Sequence, residues 1–196
     1  MRGDYALFFG LWLQKPLQIA AVTPSSRRFA CAMADLVDFD RPGPVLELGA
    51  GTGSLTRGLL RAGCPAERLI AMEREPRLAA ALRRSFPGIR TIVGDALALE
   101  EHLARLGIDR LCAVVSSLPI KWFSLAAQRA VLRPCFARLG RDRPFLQLTN
   151  AFASPLPYHR LGIQGREAAR VWRNVPPAQI WAYTRPRPEG ELGRRS

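Results

Sequence analysis

Two histidines and four scattered cysteines are all that this 196-residue chain offers to a soft metal ion. His102 and His159 lie far apart, and Cys31, Cys64, Cys112 and Cys135 form no C-x-x-C pair. A zinc site or a disulfide framework of ordinary spacing is thereby excluded, and a reduced cytoplasmic setting is expected. Cys31, Cys112 and Cys135 fall in expected helix or strand interiors, where a thiol acts as a small core hydrophobe. Long apolar runs are also missing. A membrane-spanning helix needs roughly 20 apolar residues, and the run from Tyr5 to Leu13 breaks at Gln14-Lys15-Pro16. It lacks the basic start and unbroken apolar centre of a signal peptide. Lysine is scarce too, at Lys15 and Lys121 only, and no internal repeat is visible.

What is present is arginine. The net charge is +13, and residues 101–196 carry 16 basic against 6 acidic side chains. Such a surplus favours an anionic partner, either nucleic acid or an acidic membrane surface. Hydrophobic residues at 48% and charged residues at 23% exclude a disordered chain. The length suits one domain with a sizeable core.

The order of elements is read from apolar periodicity and its punctuation. Tyr5 to Lys15, with Phe8, Phe9 and Trp12, reads as an amphipathic helix that packs on the domain or lies in a bilayer surface. Thr23-Pro24-Ser25-Ser26 caps a helix to about Val37. Strands are expected at 45–48, 68–72, 89–93, 111–115 and 144–149. Helices between them start at Ser54, Pro76, about Leu99 and about Ser124, the last interrupted or kinked near Pro134. Two final strands, 170–175 and 179–184, would pair as a hairpin-like edge. Alternation of this kind predicts an α/β fold: a doubly wound, mostly parallel seven-stranded sheet with helices on both faces. The expected organisation is an N-terminal segment 1–22, a domain 23–184 and a frayed tail 185–196.

Residues 45–55, Val-Leu-Glu-Leu-Gly-Ala-Gly-Thr-Gly-Ser-Leu, are the focus. A buried strand runs into Gly49, Gly51 and Gly53, and a helix starts at Ser54. Backbone N–H groups there can face a ligand closely. A dinucleotide fingerprint would need a third glycine at position 54, which is Ser54. Ligands of doubly wound sheets bind at the carboxyl ends of the strands, and each strand end here carries polar residues. Glu73 follows Gly51 by 22 residues, where a carboxylate can accept two ribose hydroxyls. Gly94-Asp95-Ala96 ends the third strand, where an adenine amino group would bind. Ser116 and Ser117 end the fourth.

The G-x-G-x-G turn with Glu47 inside its strand resembles motif I of class I S-adenosylmethionine-dependent methyltransferases. More specific features accompany it: Phe8-Phe9-x-x-Trp12-x-x-x-Pro16, Thr23-Pro24-Ser25-Ser26, and Asn174-Val175-Pro176-Pro177-Ala178-Gln179-Ile180-Trp181. Together they resemble the bacterial phospholipid N-methyltransferases, which convert phosphatidylethanolamine into phosphatidylcholine by successive methylations. The resemblance spans about residues 4–184. It implies a Rossmann-like fold and S-adenosylmethionine as cofactor, leaving as S-adenosylhomocysteine. It implies cofactor contacts from Glu47, Gly49, Gly51 and Thr52 in the turn, from Glu73 and Arg74 after the second strand, and from Asp95, Ala96 and Ser116 beyond it. It also implies a membrane-binding N-terminal helix with Phe8, Phe9, Trp12 and Lys15 at the surface. The protein would then sit peripherally on the inner face of the cell membrane, with an anionic lipid surface and a phospholipid as partners, no metal, and no nucleic acid.

The ribosomal RNA adenine dimethylases share motif I and the Gly-Asp-Ala loop. Those enzymes stack a flipped base on an Asn-Leu-Pro-aromatic motif, where this chain has Ser117-Leu118-Pro119-Ile120. An RNA or small-molecule methyltransferase is the alternative, and a cofactor-binding or membrane-surface protein without catalysis is the non-enzyme one. A head-group amine has a pKa on the order of 10 and must lose its proton before it can attack. Tyr158 and His159 are the expected proton handlers and Arg160 the phosphate ligand. Ser117 lies near the expected methyl group. Tyr158 and Trp122 offer faces to a methylated cation, unless Trp122 is simply core.

Overall fold

The computed structural model describes residues 24–150, 153–171 and 178–186. The N-terminal segment 1–22 with Phe8, Phe9, Trp12 and Lys15, the cap at Thr23, residues 174–177 of the Asn-Val-Pro-Pro stretch and the tail beyond residue 186 lie outside them.

The chain runs α1 (Pro24–Ala34), β1 (Val45–Leu48), α2 (Ser54–Arg61), β2 (Leu69–Glu73), α3 (Pro76–Ser85), β3 (Arg90–Val93) and α4 (Leu99–Arg105). It continues through β4 (Ala113–Ser116), α5 (Leu125–Arg138), β5 (Phe145–Thr149), the single turn α6 (Tyr158–Leu161), β6 (Gln164–Val171) and β7 (Ala178–Thr184). The strands form one sheet in the order β3-β2-β1-β4-β5-β7-β6. The first five are parallel, and β7 is antiparallel to both β5 and β6. This is the expected seven-stranded, doubly wound α/β sheet. The order reverses at β1, between β2 and β4, so the glycine turn that follows β1 lies at the switch point.

Apolar side chains of β1, β2 and β4 alternate between two cores, as strands buried on both faces must. Val45, Leu69, Ala71 and Val115 pack with Phe29, Met33, Leu59 and Phe86. Leu46, Leu48, Ile70, Met72 and Val114 pack on the other face with Leu99, Leu103, Val131 and Phe136. Helices α1 and α2 cross closely, because a Cβ on Gly58 would lie 2.3 Å from that of Ala30.

Arginine has a structural use here. Arg68 donates to the carbonyls of Phe39 (2.7 Å), Arg41 and Gly43 (2.7 Å). Arg143 donates to Pro42 and Leu111, each at 2.7 Å. Together they tie down the loop that feeds β1. Arg138 makes a two-pronged pair with Glu100 (2.9 and 2.7 Å) that joins α5 to α4.

Several expectations are corrected. The penultimate strand begins at Gln164, six residues before the expected start, because it must match the length of β7 from Gln164↔Thr184 to Val171↔Ala178. Its sequence hides it: an exposed edge strand needs little apolar character, and a register shift at Glu167/Ala169 breaks the alternation. Helix α1 stops at Ala34, and α5 runs on through Pro134. Cys31 is exposed although helical, while Cys64, in the turn after α2, is buried. Arg185, assigned to the tail, donates to the Leu139 carbonyl at 2.6 Å.

Candidate functional site

The turn after β1 is built of left-handed backbone. Gly49, Gly51 and Gly53 have φ of +76°, +55° and +80°, conformations that cost a side chain roughly 1–2 kcal/mol. Their surroundings differ. A Cβ on Gly53 would meet Phe86 Cε2 at 2.5 Å and Leu82 Cδ2 at 2.9 Å, so this glycine lets α3 close against the turn. A Cβ on Gly49 would meet Leu118 at 3.1 Å and Ser117 Oγ at 3.3 Å. At Gly51 only the Gly49 carbonyl comes within reach, at 4.0 Å. Gly51 therefore borders open space on the side away from the core.

The N–H groups of the turn do not serve as expected. Those of Gly49 and Ala50 donate to the Met72 carbonyl, that of Gly53 to Ala50, and that of Gly51 to Glu73 Oε2 at 2.7 Å. The turn presents bare Cα atoms to a ligand instead of a nest of donors. That suits a ligand without phosphates. Gly53 caps α2 without a side-chain bond, so the first-turn N–H groups of that helix are the donors left for an anionic group.

Glu73, at the end of β2, is buried and divides its carboxylate between two backbone donors, Gly51 N and Glu75 N (2.9 Å). An ionised carboxylate has about four acceptor positions, so capacity for hydroxyl groups remains. Arg74, beside it, lies 3.6 Å from Asp95 in an exposed ion pair. Asp95 also accepts from Leu97 N at 3.0 Å and caps the short turn Ala96–Ala98, with Ala96 buried beneath it. Thr52 stands exposed at the tip of the glycine turn.

Glu47 is fully enclosed below the turn. Its Oε2 accepts from the Thr56 hydroxyl at 2.7 Å, while Oε1 has no partner. Burial pushes its pKa up to about 8, the Thr56 bond opposing the shift. It is a support beneath the turn, not a group on its surface.

Ser116 and Ser117 are committed to the backbone. Ser116 Oγ accepts from Leu118 N at 3.3 Å, and Ser117 Oγ donates to the Gly49 carbonyl at 2.6 Å. Ser117 ties the β4 loop to the glycine turn, and Ser116 braces the start of that loop. Trp122 is not core: it is 62% exposed, with the Lys121 ammonium 5.5 Å from its ring centroid.

The structure brings Tyr158 and His159 together, ring centroids 4.2 Å apart, at the start of α6. Tyr158 also faces Trp181 (6.3 Å) and Tyr183 (6.5 Å), making an aromatic cluster at the β5–β7 side of the sheet. Tyr183 is buried, bonded to Ser154 at 2.7 Å, and its pKa is pushed up to about 12 by burial. Arg160 and His159 are exposed. Sequence reasoning gave no role to Gln147 and Gln179, buried on neighbouring positions of β5 and β7. Gln147 donates to the carbonyls of Leu118 and Leu148 and leaves Oε1 unpaired. Gln179 accepts from Trp181 Nε1 at 3.1 Å and leaves Nε2 unpaired. The signal was a glutamine in the apolar strand Phe-Leu-Gln-Leu-Thr. Among the described residues, no cluster of His, Cys, Asp or Glu could hold a metal, and no helix is long and apolar enough to cross a membrane.

No protein-family model matches the chain. The ornithine lipid N-methyltransferase of Singulisphaera acidiphila is 32% identical over 181 residues, covering 89% of this chain and 93% of that protein. The ribosomal RNA small subunit methyltransferase A of Phenylobacterium zucineum is 32% identical over 146 residues, but the match spans 48% of its length. Among solved structures, the Burkholderia thailandensis 1,6-didemethyltoxoflavin-N1-methyltransferase superposes with a TM-score of 0.67 at 18% identity, over 95% of this chain and 91% of that one. It was crystallised with S-adenosylhomocysteine. TrmN from Thermus thermophilus gives 0.63 at 20% identity, over 88% of this chain and 53% of its own. The fold is that of these enzymes, and S-adenosylmethionine is the cofactor. The chain belongs to the lipid N-methyltransferase family of the class I S-adenosylmethionine-dependent methyltransferases.

Proposed function

We propose that this protein methylates the amine of a membrane phospholipid, carrying phosphatidylethanolamine through successive transfers to phosphatidylcholine while held on the inner face of the cell membrane. The observation that carries this reading is the near full-length relation to a lipid N-methyltransferase, against a half-length relation to the ribosomal RNA enzyme. The loop Ser117-Leu118-Pro119-Ile120, lacking both the amide and the ring of a base-stacking motif, supports it.

In this reading the bare face of Gly49, Gly51 and Thr52 receives the methionine part of the cofactor, with its carboxylate toward the first turn of α2. Glu47 braces that turn from below. Glu73 takes the ribose hydroxyls, with Arg74 alongside, and Asp95 with Ala96 takes the adenine. Ser117 holds the β4 loop against the turn and Ser116 braces the start of that loop, so together they shape the place of the reacting methyl group.

The sulfonium supplies an electrophilic methyl group; the amine lone pair attacks it, the C–S bond breaks, and S-adenosylhomocysteine leaves. What the protein adds is alignment and exclusion of water. The amine must arrive neutral, and each transfer to a neutral amine releases its proton afterward. In this reading His159 or Tyr158 receives that proton. Tyr158 and Trp181, partly exposed beside the buried Tyr183, offer ring faces to methylated cations. Arg160 answers the lipid phosphate. Phe8, Phe9, Trp12 and Lys15 are the proposed membrane anchors.

The name of the Singulisphaera relative supports a second acceptor, an ornithine-type lipid amine. Labelled cofactor with vesicles of either lipid, or with ribosomal RNA, tests the choice. Label in phosphatidylethanolamine products is expected; label confined to RNA would refute the lipid reading.

A further inference from the structure

Among the described residues, the large hydrophobic side chains left exposed are Val93, Leu97 and Trp122. All three lie just past the carboxyl ends of strands. Val93 closes β3, Leu97 sits in the turn that follows it, and Trp122 sits in the loop after β4. Three strand spacings, about 14 Å, separate β3 from β4, and the glycine turn after β1 lies between them. The exposed apolar groups thus flank the mouth of the cofactor site on both sides.

Two of them are displayed from fixed pedestals. Leu97 belongs to a single helical turn capped by Asp95, with Ala96 buried beneath. Trp122 belongs to a turn whose Ile120 is buried and whose Ile120 carbonyl accepts from the buried Gln128 Nε2 at 3.0 Å. Leaving such side chains in water forgoes the stabilisation that burial would bring. Scattered exposed hydrophobes need no explanation; a set confined to the rim of one opening does.

We propose that this rim is a membrane-docking surface, distinct from the N-terminal segment, that seats the site mouth against a phospholipid bilayer. The proposal rests on the lipid reading above. Trp122 with Lys121 over its ring is an amphipathic pair suited to the head-group level, where lysine meets lipid phosphate. Asp95, two residues from Leu97, is paired with Arg74, and the whole chain carries +13 against an anionic leaflet. Val93 and Leu97 are aliphatic and offer nothing for a nucleobase to stack on, which favours a bilayer over RNA. Docked this way, a head-group amine reaches the site without its lipid leaving the membrane.

The test compares the full chain with Leu97→Asp, Trp122→Asp and the double variant on vesicles of phosphatidylethanolamine and phosphatidylglycerol. Each substitution is expected to lower vesicle partitioning about tenfold, equivalent to about 1.4 kcal/mol. The melting temperature and S-adenosylhomocysteine affinity should stay unchanged. For Leu97→Asp the loss should fall on KM for vesicle lipid and not on kcat. Brominated lipids should quench the chain's tryptophan fluorescence more than that of Trp122→Phe. Equal flotation and equal quenching in the variants, while the unaltered chain still methylates lipid, would overturn the rim and leave the lipid reading standing. A Trp122→Asp variant that loses RNA labelling but not flotation would reassign the surface to nucleic acid. An unaltered chain that neither floats nor labels lipid removes both proposals.

Discussion

Gly51 and Gly53 share a turn and a left-handed backbone, yet alanine at each should fail in a different way. At Gly51 (φ +55°) a methyl group meets no atom closer than 4.0 Å. Its cost to stability is the backbone penalty, roughly 1–2 kcal/mol, less a few tenths to about 1 kcal/mol from the stiffer unfolded chain. About 1 kcal/mol remains, or a melting shift of about 2–4 °C for a chain of this size. At Gly53 (φ +80°) the same methyl stands 2.5 Å from Phe86 and 2.9 Å from Leu82. Overpacking adds about 1–3 kcal/mol, giving about 3 kcal/mol in all and a loss of about 6–12 °C. Cofactor affinity should show the reverse order. The Gly51 methyl occupies the space the ligand needs and should weaken S-adenosylhomocysteine at least ~10-fold. The Gly53 methyl points into α3 and should leave affinity within about threefold while the protein stays folded. Calorimetric titration and thermal melts on both variants decide the matter. Full affinity in Gly51→Ala, or a stable Gly53→Ala that cannot bind, would refute the assignment of these two glycines.

Glu73→Gln should lose one of two backbone bonds, at Gly51 or Glu75, because an amide has a single acceptor oxygen; a roughly 10-fold rise in KM for S-adenosylmethionine is expected, measured by initial rates. Glu47, with its pKa raised from 4.5 to about 8, binds a proton in the folded chain that the unfolded chain has released. Stability should therefore fall between about pH 4.5 and 8 and level off above, and Glu47→Gln should flatten that slope by a few kcal/mol in denaturant titrations across pH; an unchanged slope would count against the buried carboxyl. Tyr158→Phe and His159→Ala should each lower turnover on lipid vesicles, about 10²-fold for the true proton acceptor; normal turnover in both would exclude them as proton handlers.

The strand–turn–helix at 45–61 was legible because three independent signals coincide there: an apolar run, alternate glycines and a change of period. The central parallel strands β1, β2 and β4 were legible because burial on both faces leaves near-continuous apolar runs. The edge strand β6 was not, since Gln-Gly-Arg-Glu-Ala-Ala-Arg-Val is only partly buried and carries no apolar alternation. Side-chain placement in loops was the other gap. Ile120 and Trp122 look alike in sequence, yet one is buried and the other exposed. Cys31 and Cys64 exchanged their expected positions because helix membership does not say which face a residue occupies. The hydroxyls of Ser116 and Ser117 looked like ligand groups, and a strand end gives no sign that nearby backbone, Leu118 N for one and the Gly49 carbonyl for the other, will engage them. The arginine surplus read as a partner signal, although Arg68, Arg138 and Arg143 act within the fold.

The last strand of the sheet is threaded between its two predecessors, β5 on one side and β6 on the other. A ribosome releasing this chain delivers β5 and β6 first; β5 can pair with β4, but its other edge and the whole of β6 wait for β7, which ends at Thr184. Until then β5 shows a bare edge of backbone donors and acceptors, the kind of surface that pairs with stray chains. The Gln147 and aromatic cluster is likewise incomplete without Gln179, Trp181 and Tyr183. Completion of the sheet and of the proposed acceptor side would therefore be one late event, so a nascent chain stalled before residue 178 would hold a glycine turn without that aromatic cluster. Helper proteins that shield strand edges during synthesis would matter most in that interval.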